Sequence, residues 1–374
     1  MSPLHPLILA MIVVGILGAL LGIHQNSPAA IPWICAAAAL GMILRVWLLA
    51  REKEALAEGT TGLVDHKALR AKDFSLYGDW LKENVRGHDA AVEVVTRTIN
   101  RGLQLSRPGR SLGSFLLVGP TGTGKTFLSL MASKALWPDK EPVVLRLNQC
   151  KDPSDVRLLL GAAGSDIAGL LSQPVLDDPH RVVVLDEIDK CHPEVLHCLF
   201  DALDGGRCRD KASGRTVDFS GCVFFATCNS GTESLRILKG LEHDAYVAKA
   251  RDVLAREAGF EKSFLARFTE ILLLDTLPVV HIAEIACLLI TKQWREQGME
   301  ISYIAPEFLA QVIRANNEFA SYGVRQLAHC VRRMTDPLLE KARRRGDSRV
   351  CLGLAPSGEA ALLEEPPKGA GVSL

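Results

Sequence analysis

Gly119, Pro120, Thr121, Gly122, Thr123, Gly124, Lys125 and Thr126 stand in a row. They close an apolar run, SFLLVG (114–119), and lead into a helix-compatible stretch, FLSLMASKAL. Residue types in this order hold a nucleotide by its phosphates. The glycines let backbone N–H groups converge on phosphate oxygens, and the N-terminus of the following helix adds the positive end of its dipole. Lys125 is expected to reach the β- and γ-phosphates, and Thr126 to offer its hydroxyl to Mg²⁺. ATP and Mg²⁺ are therefore the expected cofactors.

Sixty residues after Thr126, the run RVVVLD (181–186) ends in two adjacent carboxylates, Asp186 and Glu187. Ligands of open parallel sheets bind at the carboxyl ends of the strands. Asp186 can hold Mg²⁺, directly or through water, and Glu187 can polarise an attacking water. Successive strand side chains point opposite ways, so the chain must turn at the strand end to bring both to one site. Asn229 follows the next strand candidate, CVFFATC (222–228), where an amide can orient the water or touch the γ-phosphate. Arg267, in FLARF, and Arg325, in GVR, carry guanidinium groups of the kind that stabilise charge on a transferring phosphoryl group. Composition alone does not single out these two arginines.

Positioning such residues takes a parallel α/β sheet. Five short apolar runs, 114–119, 143–147, 181–186, 222–228 and 271–275, alternate with helical stretches and read as strands buried on both faces. The pattern changes near Leu277 and Pro278. Helices then follow over 279–297, 305–316 and 323–345, with RVCLGL as a closing strand. The expected domains are a connector over 51–73, a large nucleotide-binding domain over 74–277 and a small helical domain over 278–354. A tail over 355–374, rich in Pro, Gly and Glu, reads as disordered.

Lys+Arg and Asp+Glu both number 43, which argues against wholesale nucleic-acid binding. The ten cysteines show neither C-x-x-C pairing nor zinc spacing, and read as reduced thiols. The N-terminal fifty residues differ from the rest. Residues 7–23 contain no polar side chain, and residues 29–50 are apolar except for Arg45, with a short polar turn between the two runs. As a helix the first run spans roughly 26 Å, close to a bilayer's hydrocarbon thickness. A transmembrane helical hairpin over 1–50 is expected. Arg45 and Trp47 would lie near the interface, with Arg51 and Lys53 on the cytoplasmic side. The rival readings are a cleaved signal peptide, which MSPLHP makes poor for want of a basic residue, a buried helical pair, and an oligomerisation stem.

From about Leu81 to about Gly353 the chain resembles the C-terminal ATPase module of the Clp family of AAA+ unfoldases and disaggregases. VRGHDAAVEVV, SFLLVGPTGTGKT, LDEIDKCHPEVLHCLFDALDGGR, SGRTVDF, ATCNSG and SYGVRQLAHCVRR carry the resemblance, with His88 where glutamine is usual. It implies a P-loop AAA+ domain followed by a small, mainly helical lid. It implies that Lys125, Thr126, Asp186 and Glu187 serve nucleotide and magnesium, and that Val85 and Arg86 lie near the adenine. It also implies that Asn229 and Arg325 are the first and second sensors. Arg267 would be a finger completing a neighbouring subunit's site, hence a ring, normally a homo-hexamer, acting on a protein substrate.

Two departures stand out. The segment expected to grip substrate in the central pore, Leu160 to Leu171, has no aromatic residue, and Ile167 is its bulky candidate. The second pore segment, Gly206 to Arg215, keeps its length and is basic. No tripeptide for docking a Clp peptidase is present. The single module behind a hydrophobic N-terminus is similar in layout to torsins, which lack the finger. The expected function is a membrane-anchored ATPase that remodels proteins at the cytoplasmic face, of a bacterial inner membrane by the layout. An ATP-gated scaffold of an envelope or secretion machine is the alternative, and a nucleic-acid motor is a more distant one.

Overall fold

The computed structural model describes residues 64–164, 167–204, 206–317 and 323–365. The expected hairpin over residues 7–50 lies outside these. Among the described residues no helix is long and apolar enough to cross a membrane.

The large domain holds β1 (Gly113–Val118), β2 (Val143–Arg146), β3 (Val182–Asp186), β4 (Arg207–Arg209), β5 (Thr216–Asp218), β6 (Val223–Cys228) and β7 (Glu270–Leu273). Its main helices are α1 (His66–Arg70), α2 (Asp89–Gln104), α3 (Lys125–Leu136) and α4 (His243–Glu257). Five strands form one sheet in the order β2-β3-β6-β1-β7, all paired in parallel. They are the five apolar runs of the sequence. The alternation of their side chains builds a core on each face. Leu116, Val118, Phe224 and Ala226 point to one. Phe115, Leu117, Val223 and Phe225 point to the other, against α2 and α3. Phe115 and Phe225 are register partners, and their rings stack at 4.8 Å.

Three local expectations change. β2 was expected to be buried on both faces, but it is a sheet edge: Val143 and Leu145 are buried while Val144 is 42% exposed. The connector was expected to run to residue 73, but the chain joins the body from about Asp65. The Asp65 carboxylate caps α1, Leu69 is buried, and Arg70 donates to the Ser106 carbonyl oxygen at 2.6 and 2.9 Å. The tail was expected to be disordered from 355, yet its Ala360–Leu363 stretch is apolar enough to make a strand.

That strand belongs to the small domain. Here α5 (Val279–Glu296), α6 (Pro306–Asn317) and α7 (Gly323–Arg345) pack on a three-stranded sheet of β8 (Glu300–Ile304), β9 (Arg349–Leu354) and β10 (Ala360–Leu363). β9 is the expected closing strand. A tight turn, with the Gly358 N–H on the Ala355 carbonyl and the Ala355 N–H on the Glu359 carbonyl, folds β10 back onto it. Trp294, Phe308, Leu327 and Leu352 form the domain's core.

Candidate active site

The sheet order places the carboxyl ends of β1, β6 and β3 side by side, and each delivers one part of the site. β1 runs into the P-loop. The loop closes on itself through the Thr123 hydroxyl, which donates to the Pro120 carbonyl at 3.0 Å. Gly124 then takes a left-handed conformation (φ 94°) and becomes the N-cap of α3 without any side-chain cap. The helix's first amides are thus left facing the loop's concave side.

Lys125 is buried and donates to the carbonyl oxygens of Gly119 and Pro120, both at 2.7 Å, and to Asn229 Oδ1 at 2.9 Å. All three acceptors are neutral. Burial pushes its ammonium down to about 8, so it still carries its proton at neutral pH. A buried cation held only by neutral oxygens is a fit partner for a polyphosphate.

Asp186 ends β3. Its Oδ1 accepts from the Thr126 hydroxyl at 3.0 Å and from the Thr227 hydroxyl at 2.7 Å. A carboxylate beside a hydroxyl is the hard-oxygen donor set that suits Mg²⁺. The expected turn at the strand end is real. Glu187 has φ +56°, the one non-glycine residue with positive φ among those described. Such a conformation costs free energy and persists only where neighbours hold it. Three groups do so. The Thr227 hydroxyl accepts from the Glu187 N–H at 2.8 Å, Asn148 Nδ2 donates to its carboxylate at 2.7 Å, and Lys190 pairs with it at 2.9 Å. The turn brings both carboxylates to one side of the strand end.

Asn229, following β6, is anchored from below. Asp189 Oδ2 accepts from the backbone N–H groups of Asn229 and Ser230, at 3.2 and 3.1 Å, and from the Ser230 hydroxyl at 2.8 Å. Two hydrogen-bonded groups thus meet at adjacent strand ends: Lys125 with Asn229, and Thr126 with Asp186, Thr227 and Glu187. Thr227 and Asn148 belong to the second group and were missed in the sequence. Thr227 sits inside an apolar strand run and Asn148 in a short turn after β2, and neither carries a spacing signal.

The segment of Val85 and Arg86 lies beside the P-loop. Val85 is buried, Arg86 is half-buried, and the segment continues into His88, which meets the P-loop.

Arg267 is elsewhere. The Ser114 hydroxyl, at the start of β1, donates to the Arg267 carbonyl at 2.7 Å. Ser114 and Gly119 lie at opposite ends of β1, ~16 Å apart at the strand rise. The guanidinium rests 4.3 Å from the Phe200 ring centroid, 3.3 Å from Asp204, and donates to the Ser263 carbonyl at 2.6 Å. Arg267 thus faces away from the P-loop of its own chain. Arg325 falls in the first turn of α7, and its side chain lies outside the described part of the structure.

Comparison with known proteins gives a consistent picture. A family model described as AAA domain (Cdc48 subfamily) matches residues 110–271. The chaperone protein ClpB of Oceanobacillus iheyensis is 30% identical over 304 residues, which is 76% of this chain and 37% of that protein. The negative regulator of genetic competence ClpC/MecB of Bacillus subtilis is 30% identical over 283 residues, 71% of this chain and 35% of the relative. The chain spans about a third of the length of these curated relatives. Among solved structures, an S. cerevisiae Hsp104:casein complex in an extended conformation aligns with a TM-score of 0.67 at 20% identity. The alignment covers 80% of this chain and 54% of that one. A closed state of Hsp104 with ATPγS and FITC casein gives 0.65, covering 77% and 51%. At that identity the likeness speaks for the fold, while the relatives and the P-loop geometry speak for the family. The chain carries a Clp-family AAA+ ATPase module.

Proposed function

We propose that this chain hydrolyses ATP within a ring of identical subunits, normally six, and uses the cycle to remodel or disassemble protein substrates. The observation that carries the reading is the meeting, at adjacent strand ends, of two hydrogen-bonded groups: Lys125 with Asn229, and Thr126 with Asp186, Thr227 and Glu187. Thr126 and Asp186 would hold Mg²⁺, which would neutralise charge on the phosphates. Lys125 exchanges its neutral oxygens for phosphate. Glu187 would accept a hydrogen bond, and then the proton, from the attacking water, and Asn148 and Lys190 fix where its carboxylate points. Asn229 positions the far side of the γ-phosphate. Arg267, turned away from its own P-loop, serves a neighbouring subunit, and that is the ground for a ring.

The apolar residues 7–50 support a membrane hairpin with the ATPase body on the cytoplasmic side. Substrate contact falls to the segments around Ile167 and between β4 and β5. A second reading, an ATP-gated scaffold without threading, is favoured by one observation: the first of these segments has no aromatic residue.

Steady-state ATP hydrolysis by the detergent-solubilised chain tests the reading, beside Glu187→Gln and Arg267→Ala. Turnover by the wild type, with both variants inactive and Glu187→Gln still binding ATP, supports the self-contained ring. A wild type that binds ATP without turning over defeats it and leaves the scaffold. Unfolding of a tagged protein then separates a remodeller from an ATPase that moves no substrate.

A further inference from the structure

The segment beside the P-loop ends on a histidine whose side chain is turned away from its own helix. His88 is the N-cap residue of α2, but its ring makes no capping bond. Only its carbonyl serves the helix, accepting from the Val92 N–H at 2.9 Å. The ring crosses instead to the P-loop, where Nε2 lies 2.7 Å from the Thr123 carbonyl oxygen. A carbonyl oxygen only accepts, so Nε2 is the nitrogen that carries the proton. Burial holds the ring below the ordinary histidine value, and the Thr123 bond opposes this only in part. The neutral ring with its proton on Nε2 is the resident form.

The peptide between Thr123 and Gly124 is planar and trans, so its C=O and N–H point in opposite directions. A carbonyl held toward His88 aims the Gly124 N–H away from it. Gly124 itself borders open space, since a Cβ built on it meets nothing within 4 Å. The other flank of the segment meets the hinge between the domains. Gly87 has φ +80°, and a Cβ there would lie 2.6 Å from Leu277 Cδ2 and 3.0 Å from the His281 ring. Leu277 precedes α5, and His281 lies in its first turn.

We propose that His88 is a positioning residue for the phosphate cradle: it locks the Thr123–Gly124 peptide so that the Gly124 N–H is aimed at a phosphate oxygen before nucleotide arrives. Its neighbour Gly87 packs closely against Leu277 and His281 at the start of α5. The proposal rests on the ATP-binding reading of the site. A glutamine at this position keeps an N–H donor at similar reach. Phenylalanine fills the ring's space with no donor, and asparagine has the donor on a stem one methylene shorter.

The test is equilibrium binding of a fluorescent ATP analogue to the full chain in detergent, with circular dichroism melting as the check on folding. His88→Phe and His88→Asn are expected to bind about tenfold more weakly, the loss of one buried hydrogen bond, and His88→Gln to return to within about twofold of wild type. If phenylalanine fails to fold, the smaller asparagine gives the same contrast with glutamine. Wild-type affinity in both donor-deficient variants overturns the positioning role alone. Equal weakness in the glutamine variant, with all variants melting as wild type does, overturns it too. A wild type that binds no nucleotide overturns the site reading and this proposal together.

Discussion

Two glycine-rich segments of the large domain use their polar groups in opposite ways. In the P-loop they converge on the cavity: Lys125 on three oxygens, Thr126 on Asp186, and the uncapped amides of α3 on open space. In the segment over 160–171 they are spent at the base. The Lys211 N–H donates to the Leu160 carbonyl at 2.7 Å, and the Ser172 hydroxyl donates to the fully buried carboxylate of Asp210. Asp210 also accepts from the Ser213 N–H at 2.7 Å and the Ser213 hydroxyl at 2.6 Å, so the base clamps both expected pore segments together. Among the described residues of this segment, the large side chains facing outward are apolar: Ile167 is 56% exposed and Leu170 is 58% exposed. On the proposed function, the difference follows from the ligands. Phosphate chemistry requires particular atoms at particular points. A grip on polypeptide requires apolar area on a stiff footing, which many residue types supply.

The largest effect is expected at that footing. Asp210→Ala leaves the Ser172 and Ser213 donors without their acceptor inside the protein, a loss of about 3 kcal/mol. Urea denaturation measures it, and faster tryptic cleavage after Lys211 locates it. Unchanged stability and cleavage would mean that the two segments are not clamped through Asp210. The matching change at the nucleotide end is Thr227→Val. It removes the acceptor for the Glu187 N–H and one donor to Asp186 while keeping the side chain's shape. Turnover is expected to fall about tenfold with ATP binding nearly unchanged, because the left-handed turn at Glu187 loses its hold. Full turnover in this variant would show that Asn148 and Lys190 hold the carboxylate unaided.

The same contrast explains what was legible in the sequence. The phosphate site was legible because it depends on local order: glycines, Lys125 and Thr126 after a strand, and two acids after another. The sheet was legible because strands buried on both faces must be apolar throughout. Thr227 and Asn148 were hidden because their roles come from strand neighbours that the chain brings together from afar, with Thr227 meeting Asp186 across 41 positions. β2 was overestimated since an apolar run does not state which strand is the edge. β10 was missed because composition spoke for disorder, and its pairing depends on a turn of five residues, 355–359. Asp210 looked like one more charge in a basic loop, and only the fold reveals that it is buried.

At the pore segment itself the expected change is smaller, and it is a gain. Ile167→Tyr adds aromatic area at an already exposed position without touching Asp210. Binding of fluorescein-labelled casein, as a generic unfolded probe, is expected to tighten about threefold to fivefold, with ATP affinity unchanged. No gain would mean that this segment does not meet substrate, and would favour the scaffold reading.

The smallest expected effect separates the two regions by pH. Burial lowers the pKa of His88 below its ordinary 6.5, reinforced by His281 and opposed by the Thr123 bond, Asp275 and Asp89. His66 and His180 are lowered as well, again chiefly by burial. A histidine whose folded pKa lies below its unfolded one contributes fully above pH 6.5. That contribution is lost as the pH falls from 6.5 through the folded value, because the unfolded chain binds the proton first. From the histidines alone, stability is therefore expected to be flat from pH 8 to 7 and to fall below about 6.5, while the lowered Lys125 adds a small rise towards pH 8 that all three proteins share. His88→Gln removes one titrating group, so the loss between pH 7 and 6 shrinks by up to about 0.7 kcal/mol. Asp210→Ala is expected to run parallel to wild type across the same range, since residues 160–171 and 206–218 contain no histidine. Denaturant midpoints at pH 8, 7 and 6 for the three proteins provide the comparison. A glutamine variant that follows the wild-type curve would show that His88 takes up its proton as readily in the folded chain as in the unfolded one, and would remove the neutral ring from the account of the P-loop.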